Sequence, residues 1–287
     1  MEKLQLFVQL ARLNKPIGIF LLFWPCVWGI TLAYYFVGET TLFLKHILLF
    51  FIGSVLMRSA GCIFNDIVDK DLDQKVQRTK SRPIASGKIK IAEACIYFIL
   101  LCSIAFLILI QFNLLTITLG LTSMILAFSY PFMKRITYWP QLFLGLTFNW
   151  GIIMGWTSIT NNLTIEPIIL YLAAIFWTLG YDTIYGLQDI RDDEIIGIKS
   201  TSIKFKNNVK IFVGTCYSLC VFLILILCLI MEINNYFLGI SILFILSLAY
   251  QIKIFKIDSP ESCLKAFKVN NLTGVFTFIL IFSFTFS

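Results

Sequence analysis

The sequence has 287 residues, of which 59% are hydrophobic and only 14% are charged, and its mean hydropathy is +0.87. Soluble domains carry about 25% charged residues, so this composition indicates an integral membrane protein that crosses the bilayer several times. The net charge of +7 does not indicate a nucleic-acid-binding protein, because the lysines and arginines lie in short segments between apolar runs.

The cysteines and the single histidine exclude several kinds of site. The eight cysteines show no CxxC spacing, and most lie in apolar runs, where Cys behaves as a small hydrophobe. We therefore expect neither a disulfide framework nor a zinc site. The only histidine, His46, lies at the edge of a short loop. This argues against His-ligated metals, haem and a Ser-His-Asp mechanism.

Nine apolar runs approach the length of about 20 residues that a membrane-spanning helix needs. In chain order they cover 17–37, 44–64, 91–111, 114–130, 139–160, 166–187, 209–231, 235–252 and 270–287. No small-residue cleavage site follows the first run, so we expect it to remain as an anchor. The predicted fold is all-α, a single transmembrane domain over residues 1–287 with nine spanning helices around a central cavity.

Basic residues are concentrated in every second loop. One side of the predicted helices carries 21 of the 23 Lys and Arg residues, whereas the loops of the other side hold only Lys45. Arg58 lies within the second predicted helix. By the positive-inside rule, we expect the N-terminus in the cytoplasm and the C-terminus outside.

An acidic stretch follows the second apolar run, on the predicted cytoplasmic side. Asn65, Asp69 and Asp73 are four residues apart, so a helix that continued through them would place them on one face, about 5–6 Å apart. Asp66 lies alongside, and Asp71 faces away and is expected to be solvated. Such an array raises the pKa values of its own members unless cations neutralise it.

A second acidic stretch follows the sixth apolar run. Asp182, Asp189 and Asp193 share one helical face, since their spacings are seven and four residues. The two stretches contain nine of the 16 acidic residues, and each is followed by Lys-Ser, at Lys80 and Lys199. This weak repeat predicts two four-helix units plus one helix, with the two stretches facing each other across the cavity.

Two facing acidic helix ends favour divalent cations. An oxygen-only ligand set suits Mg²⁺, which binds one or two carboxylates together with substrate phosphates. Nearby basic residues could bind a diphosphate, and the candidates are Arg78, Lys80, Arg82 and Lys134. A diphosphate at a cavity in the bilayer implies a lipid tail, hence a prenyl diphosphate whose departure the metal would assist as a Lewis acid.

These motifs resemble those of the UbiA superfamily of intramembrane prenyltransferases. The first motif is Asn65-Asp66-x-x-Asp69-x-x-x-Asp73 with Arg78-Thr79-x-x-Arg82-Pro83, and the second is Tyr181-Asp182-Thr183-x-Tyr185-x-x-x-Asp189-x-x-Asp192-Asp193 with Gly197-x-Lys199-Ser200-Thr201. Lys15-Pro16-Ile17-Gly18, Trp24-Pro25, Tyr130-Pro131-x-x-Lys134-Arg135 and Pro140-Gln141 are similar to the members that prenylate 4-hydroxybenzoate.

The resemblance implies Mg²⁺-dependent transfer of a chain from polyprenyl diphosphate to the ring carbon meta to the carboxyl of 4-hydroxybenzoate, in ubiquinone biosynthesis. The implied metal residues are Asn65, Asp66, Asp69, Asp73, Asp182, Asp189 and Asp193, and the implied catalytic residues are Asp69, Asp73, Asp189 and Asp193. Candidate substrate-binding residues are Arg58, Arg78, Lys80, Arg82, Tyr130, Lys134, Arg135 and Tyr185. No protein partner or nucleic acid is implied. The expected location is the bacterial inner membrane, or the mitochondrial inner membrane in a eukaryote.

Some alternatives remain open from the sequence alone. Arg135 is favoured over Arg58 as the partner of the aromatic carboxylate, because it belongs to the segment that resembles the benzoate-specific members. A cation-coupled transporter would also place acidic residues in the membrane, but here they lie at helix ends beside a basic loop. Other acceptors within the same enzyme class are a naphthoate, homogentisate and haem.

Overall fold

The computed structural model describes residues 2–233 and 235–286, and every regular element within them is helical. The helices are α1 (Glu2–Leu10), α2 (Ile17–Val37), α3 (Thr40–Val68), α4 (Lys70–Asp73), α5 (Ile91–Leu109), α6 (Leu114–Ile136), α7 (Pro140–Thr160), α8 (Ile165–Gly186), α9 (Ile190–Ile196), α10 (Thr201–Lys204), α11 (Val209–Ile230), α12 (Asn235–Ile254) and α13 (Pro260–Ser283). The predicted all-α class is confirmed.

Eight helices in the described part of the chain are long and apolar enough to cross a membrane: α2, α3, α5, α6, α7, α8, α11 and α13. The remaining predicted span, 235–252, corresponds to α12, whose portion Gly239–Ile254 is apolar but shorter. The predicted count of nine is therefore not confirmed. The two-unit repeat also stays a prediction.

The last helix begins ten residues earlier than the sequence predicted, at Pro260 instead of residue 270. Ser259 caps it by accepting a hydrogen bond from Ser262 N, and Pro260 occupies its first turn, where a missing N–H costs nothing. The early turns are polar, so hydropathy alone did not reveal them. Asn270 is fully buried there and accepts a 2.7 Å hydrogen bond from Trp177 Nε1.

The centre of the bundle is built from α2, α7 and α8. Helix α2 packs against α7, and α8 packs against α7, α11 and α13. Small residues allow the closest approach: a Cβ at Gly29 would lie 2.1 Å from Ile152 O, and one at Gly155 would lie 2.6 Å from Cys26 O. Close backbone packing of this kind is typical of helices within membranes. Helices α5 and α6 lie at the periphery with many exposed apolar side chains.

Helices α3 and α8 end on the same side of the bundle, and these ends carry the two acidic stretches. Helix α3 ends at Val68, and Asp69 leaves the helical conformation with φ −97° and ψ 7° before α4 begins. The helix therefore does not continue unbroken through Asp73. The spacing is nevertheless kept, because Asp69 N still bonds to Asn65 O and Asp73 N to Asp69 O.

Candidate active site

The first acidic stretch is buried against its own basic side chains. Asp66, Asp69 and Asp73 are 1–6% exposed, whereas Asp71 is exposed as expected. Arg82 donates from Nη1 to Asp66 Oδ1 at 3.0 Å and to Asp73 Oδ2 at 2.8 Å. One guanidinium therefore joins α3 to the short helix α4. Buried carboxylates persist as charges only when they are paired in this way.

A second arginine reaches the same stretch from the N-terminal segment. Arg12 Nη2 donates to both carboxylate oxygens of Asp66 at 2.8 Å. Arg12 has a φ of +56°, a left-handed conformation that is uncommon for a long side chain. Arg12 was not among the predicted site residues. No local pattern indicated it, since it lies 54 residues from Asp66.

Asp69 is bound by the end of α6. Lys134 Nζ donates to Asp69 Oδ2, and Arg135 Nη2 bonds to Val68 O at 2.8 Å and to Asp69 Oδ1 at 3.4 Å. The Tyr-Pro-x-x-Lys-Arg segment therefore supplies two cations to the first acidic stretch. Arg135 is 44% exposed, which places its head at the surface of the bundle.

The second acidic stretch runs from the end of α8 through a 3-10 turn, Leu187–Asp189, into α9. Arg78 binds Asp189 with two nitrogens, one of them Nε at 2.8 Å from Oδ1, and Arg78 Nη1 donates to Tyr185 Oη at 2.8 Å. Gln77 N also donates to Asp192 Oδ2 at 3.1 Å. The loop after the first stretch thus connects directly to the second, so the predicted meeting of the two stretches is present.

Burial and like charges govern the electrostatics of this end. Burial raises the pKa of the Asp73 carboxyl, and the negative charges of Asp66 and Asp69 raise it further. The Arg82 guanidinium lowers this pKa and partly offsets the rise. Burial disfavours the charged form of Arg82, but Asp66 and Asp73 more than compensate and raise its pKa. Tyr185 and Asp189 likewise outweigh burial and raise the pKa of Arg78. The arginines are therefore permanent cations that stabilise a crowded set of acids.

Three predicted site residues lack such pairing. Asp182 and Asp193 make no ion pair with a side chain in the part of the chain that the structure describes. Arg58 Nε is buried without a hydrogen-bond partner, and the guanidinium lies 5.3 Å from the centre of the Phe148 ring. Asp182, Tyr130, Tyr181 and Tyr185 are close enough to interact electrostatically with Arg58. An unpaired cation within the membrane is a functional group by default.

The donor set is suited to a hard divalent cation, with one qualification. Its members offer only oxygen ligands, which Mg²⁺ prefers. Among the described residues, no group of three or more His, Cys, Asp and Glu is already gathered for a metal ion. A metal ion at Asp189 or Asp69 would compete with Arg78 or Lys134 for the carboxylate oxygens, whereas at Asp182 and Asp193 it would displace no ion-pair partner among the described side chains.

The remaining predicted residues are less closely connected. Lys80 is exposed; its backbone N bonds to Val76 O at 3.0 Å, but no ion pair joins its side chain to the described residues. Asn65 and Tyr130 are half-buried beside the paired acids. Lys199, from the second motif, donates its Nζ to Ile136 O at 3.1 Å. Its backbone N bonds to Lys134 O at 2.8 Å, so the second motif also holds the end of α6.

An all-α bundle of membrane-spanning helices with two acidic helix ends bridged by arginines defines a class of membrane-embedded enzymes that act on phosphorylated lipids. The UbiA prenyltransferase family matches residues 22–276. The chain belongs to this family.

Relatives agree with this assignment over most of their length. The chain is 39% identical over 280 residues to a 4-hydroxybenzoate octaprenyltransferase of Pseudomonas aeruginosa, which covers 95% of this chain and 91% of the relative. It is 39% identical over 277 residues to a mitochondrial 4-hydroxybenzoate polyprenyltransferase of Drosophila pseudoobscura pseudoobscura, covering 95% of this chain and 68% of that one.

Solved structures share the fold. A UbiA homolog from Aeropyrum pernix K1 superimposes with a TM-score of 0.76 at 22% identity, covering 90% of this chain and 94% of the other. A UbiA homolog from Archaeoglobus fulgidus, solved with GPP and Mg²⁺ bound, gives a TM-score of 0.71 at 18% identity and covers 96% and 99%. At these identities the likeness concerns the fold alone.

Proposed function

We propose that this protein transfers a polyprenyl chain from polyprenyl diphosphate to the ring carbon meta to the carboxyl of 4-hydroxybenzoate, a step of ubiquinone biosynthesis. The observation that carries the proposal is the bridge from Arg78 to Asp189, which brings the two acidic stretches to one site. The two relatives described above have names that state this activity.

The residues that would hold Mg²⁺ are the carboxylates at the two helix ends. They are Asp66, Asp69 and Asp73 on the first stretch and Asp182, Asp189 and Asp193 on the second, with Asn65 beside them. When bound, the metal supplies Lewis-acid stabilisation of the diphosphate leaving group. The solved structure of the Archaeoglobus fulgidus homolog with GPP and Mg²⁺ supports this choice of metal.

Basic residues of the first stretch and α6 would bind the diphosphate. Arg78 and Lys134 each hold one carboxylate now. A diphosphate, which offers more charge and more acceptor oxygens, would compete for them. Arg78 presents a planar fork that matches phosphate oxygens bidentately. Arg82 already donates hydrogen bonds to Asp66 and Asp73, so its role would be to orient these two carboxylates. Lys80 is free to approach only from the solvent side.

Arg58 is the best candidate for the aromatic carboxylate, in place of Arg135. Arg135 is 44% exposed and already bonds to Val68 O and Asp69. Arg58 is half-buried, with its Nε fully buried, and it interacts electrostatically with Asp182 and Tyr130 while Phe148 lies beneath its guanidinium. A benzoate that loses its hydration on binding between these helices needs a dedicated cation there. Its ring could then lie near the allylic carbon released at the acidic stretches.

We also propose that the protein lies in the bacterial inner membrane with its acidic end facing the cytoplasm, or in the mitochondrial inner membrane in a eukaryote. The concentration of basic residues at this end supports that orientation. A cysteine in place of the exposed Ser81, in a Cys-depleted variant, should resist impermeant thiol reagents applied outside intact bacterial cells and react in broken cells. Ready labelling of intact cells would reverse the orientation.

The activity is tested with purified protein in detergent, supplied with Mg²⁺, a polyprenyl diphosphate and 4-hydroxybenzoate. Mass spectrometry should detect the prenylated acid and an equivalent amount of released diphosphate. Parallel reactions with a dihydroxynaphthoate or homogentisate should give little product. Preference for one of those acceptors would overturn the 4-hydroxybenzoate assignment, and cation flux without diphosphate release would indicate a transporter. Asp189→Asn should be inactive, and Asp71→Asn serves as the matched control.

A further inference from the structure

The guanidinium of Arg58 lies against the backbone of a neighbouring helix at Gly18. Arg58 belongs to α3, whereas Gly18 is buried in the first turn of α2. A Cβ added at Gly18 would lie 2.6 Å from Arg58 Nε, 2.9 Å from Nη2 and 3.1 Å from Cζ. Non-bonded heavy atoms pack best at about 3.5–4.0 Å, so the guanidinium occupies the space that any larger residue at position 18 would need.

A third helix, α7, also contacts this guanidinium. The centre of the Phe148 ring lies 5.3 Å from Arg58 Cζ, within the range in which an aromatic face attracts a cation. Arg58 Nε has no hydrogen-bond partner, and no ion pair fixes the side chain among the residues that the structure describes. The position of the guanidinium therefore depends on its packing against Gly18 and Phe148.

The kind of atom that an added Cβ would meet decides what a substitution at position 18 does. All three atoms belong to the end of a flexible side chain, which can move to another staggered rotamer. At Gly29, in contrast, an added Cβ would lie 2.1 Å from Ile152 O, and this backbone carbonyl cannot move unless the helices separate. An alanine at position 18 is therefore accommodated by moving the guanidinium, while α2 and α3 stay in place.

We propose that Gly18 is a positioning residue for acceptor recognition, because it leaves the space in which the Arg58 guanidinium meets the aromatic carboxylate. The inference rests on the proposed function, in which Arg58 binds that carboxylate. A guanidinium binds a carboxylate through planar, directional N–H bonds, and a misplacement of about 1 Å in a site can cost about a hundredfold in rate. The diphosphate is bound by Arg78 and Lys134 in the proposed function, so its binding should not depend on Gly18.

A double-mutant cycle on the purified protein in detergent tests the inference. The measured quantity is kcat/KM for 4-hydroxybenzoate at saturating polyprenyl diphosphate. Gly18→Ala should lower it at least about tenfold, the effect of one charged hydrogen bond, and should leave KM for polyprenyl diphosphate within about twofold of the wild type. In the background of Arg58→Met, which removes the guanidinium, Gly18→Ala should change kcat/KM by less than about twofold, because the group that it displaces is gone.

Gly53→Ala is the matched control, since Gly53 lies on α3 with Arg58 and an added Cβ there would meet no atom within 4 Å. It should leave kcat/KM unchanged. Thermal unfolding separates positioning from helix packing. Gly18→Ala should unfold near the wild-type temperature, whereas Gly29→Ala, whose Cβ would meet a backbone oxygen, should unfold at a lower temperature.

Wild-type kcat/KM in Gly18→Ala would overturn the inference. An equal loss from Gly18→Ala with and without the Arg58 guanidinium would overturn it as well, and would assign Gly18 to the packing of α2. Failure of the proposed function gives a different result: if the wild-type protein prefers another carboxylic acid as acceptor, that function is wrong, and the same cycle with that acid decides the inference. Preference for an acceptor without a carboxyl group, or no prenyl transfer at all, would overturn both.

Discussion

The two acidic stretches differ in how their charges are compensated. On the first stretch, all three buried carboxylates are ion-paired, through Arg12, Arg82, Lys134 and Arg135. On the second, Asp189 is paired with Arg78, whereas Asp182 and Asp193 have no ionic partner among the described side chains. The first stretch is therefore preformed, in the sense that its own ion pairs hold its carboxylates in place before any ligand binds. The second stretch leaves more negative charge for a metal cation to neutralise.

Chain order explains the difference. The loop that follows the first stretch carries Arg78 and Arg82, and both turn back towards acids. In the described part of the chain, the basic residues in and after the second stretch do not pair with Asp182, Asp189 or Asp193: Arg191 is 84% exposed, Lys199 bonds to the end of α6, and Lys206 pairs with Glu194. The first stretch thus supplies cations to both sites. The 74–90 loop, which contains Arg78 and Arg82, is therefore the element that an entering substrate would displace.

The largest expected effect is the loss of one carboxylate from each stretch. Asp69→Asn and Asp189→Asn should each lower kcat by about a thousandfold or more, since a lost metal ligand removes several kcal/mol of leaving-group stabilisation. Thermal unfolding should separate them: Asp69 is buried between Lys134 and Arg135, so its variant also loses stability. Asp189 is 14% exposed, and its variant should unfold near the wild-type temperature.

A smaller effect is expected at Arg58, the unpaired cation between the two stretches. Arg58→Lys should raise KM for 4-hydroxybenzoate by roughly 10- to 100-fold, the range for one charged hydrogen bond, with little change in KM for polyprenyl diphosphate. Arg135→Lys is the comparison, because it should change the aromatic KM much less. If the two variants exchange these behaviours in steady-state kinetics, the carboxylate belongs to Arg135.

Arg12 tests whether the first stretch is preformed. Arg12→Gln leaves Asp66 with Arg82 alone, and we expect a loss of roughly 1–2 kcal/mol of stability, less than for a fully buried pair because Arg12 is 20% exposed. Thermal unfolding in detergent measures it. The control Arg191→Gln removes an arginine that is 84% exposed and should not change the midpoint. Equal midpoints for the two variants would contradict a preformed first stretch.

The smallest effect is expected at Asp71, the exposed acid of the first stretch. Asp71→Asn should change kcat/KM and stability by no more than about 0.5 kcal/mol, as surface substitutions usually do. Steady-state assays beside Asp69→Asn provide the measurement. A loss as large as that of Asp69→Asn would show that position on the helix face does not decide which acids act.

Hydropathy located most of the fold. The first span was predicted at 17–37 and is Ile17–Val37, and 139–160 corresponds to Pro140–Thr160. The method failed where polar residues are buried inside the bundle: α13 begins with a polar segment that includes the fully buried Asn270. Hydropathy assigns such residues to loops, because it cannot anticipate the partner that satisfies them.

The burial of the acidic residues was predictable from the sequence, but their pairing was not. Helical spacing correctly separated the buried Asp69 and Asp73 from the exposed Asp71. The contact of Arg12 with Asp66 spans 54 residues, and no local pattern encodes it. Motif resemblance favoured Arg135 for the carboxylate, whereas only three-dimensional packing reveals that Arg135 has partners and that Arg58 Nε has none.

We propose that both acidic stretches hold divalent metal at one diphosphate site. Electron paramagnetic resonance of Mn²⁺, used in place of Mg²⁺ with a non-hydrolysable prenyl diphosphate analogue, tests it directly by counting bound ions. We expect Asp69→Asn and Asp189→Asn each to weaken Mn²⁺ binding by at least about tenfold, and Asp71→Asn to bind Mn²⁺ like the wild type. Wild-type affinity in Asp189→Asn would mean that the second stretch holds no metal and that the two stretches do not form one site.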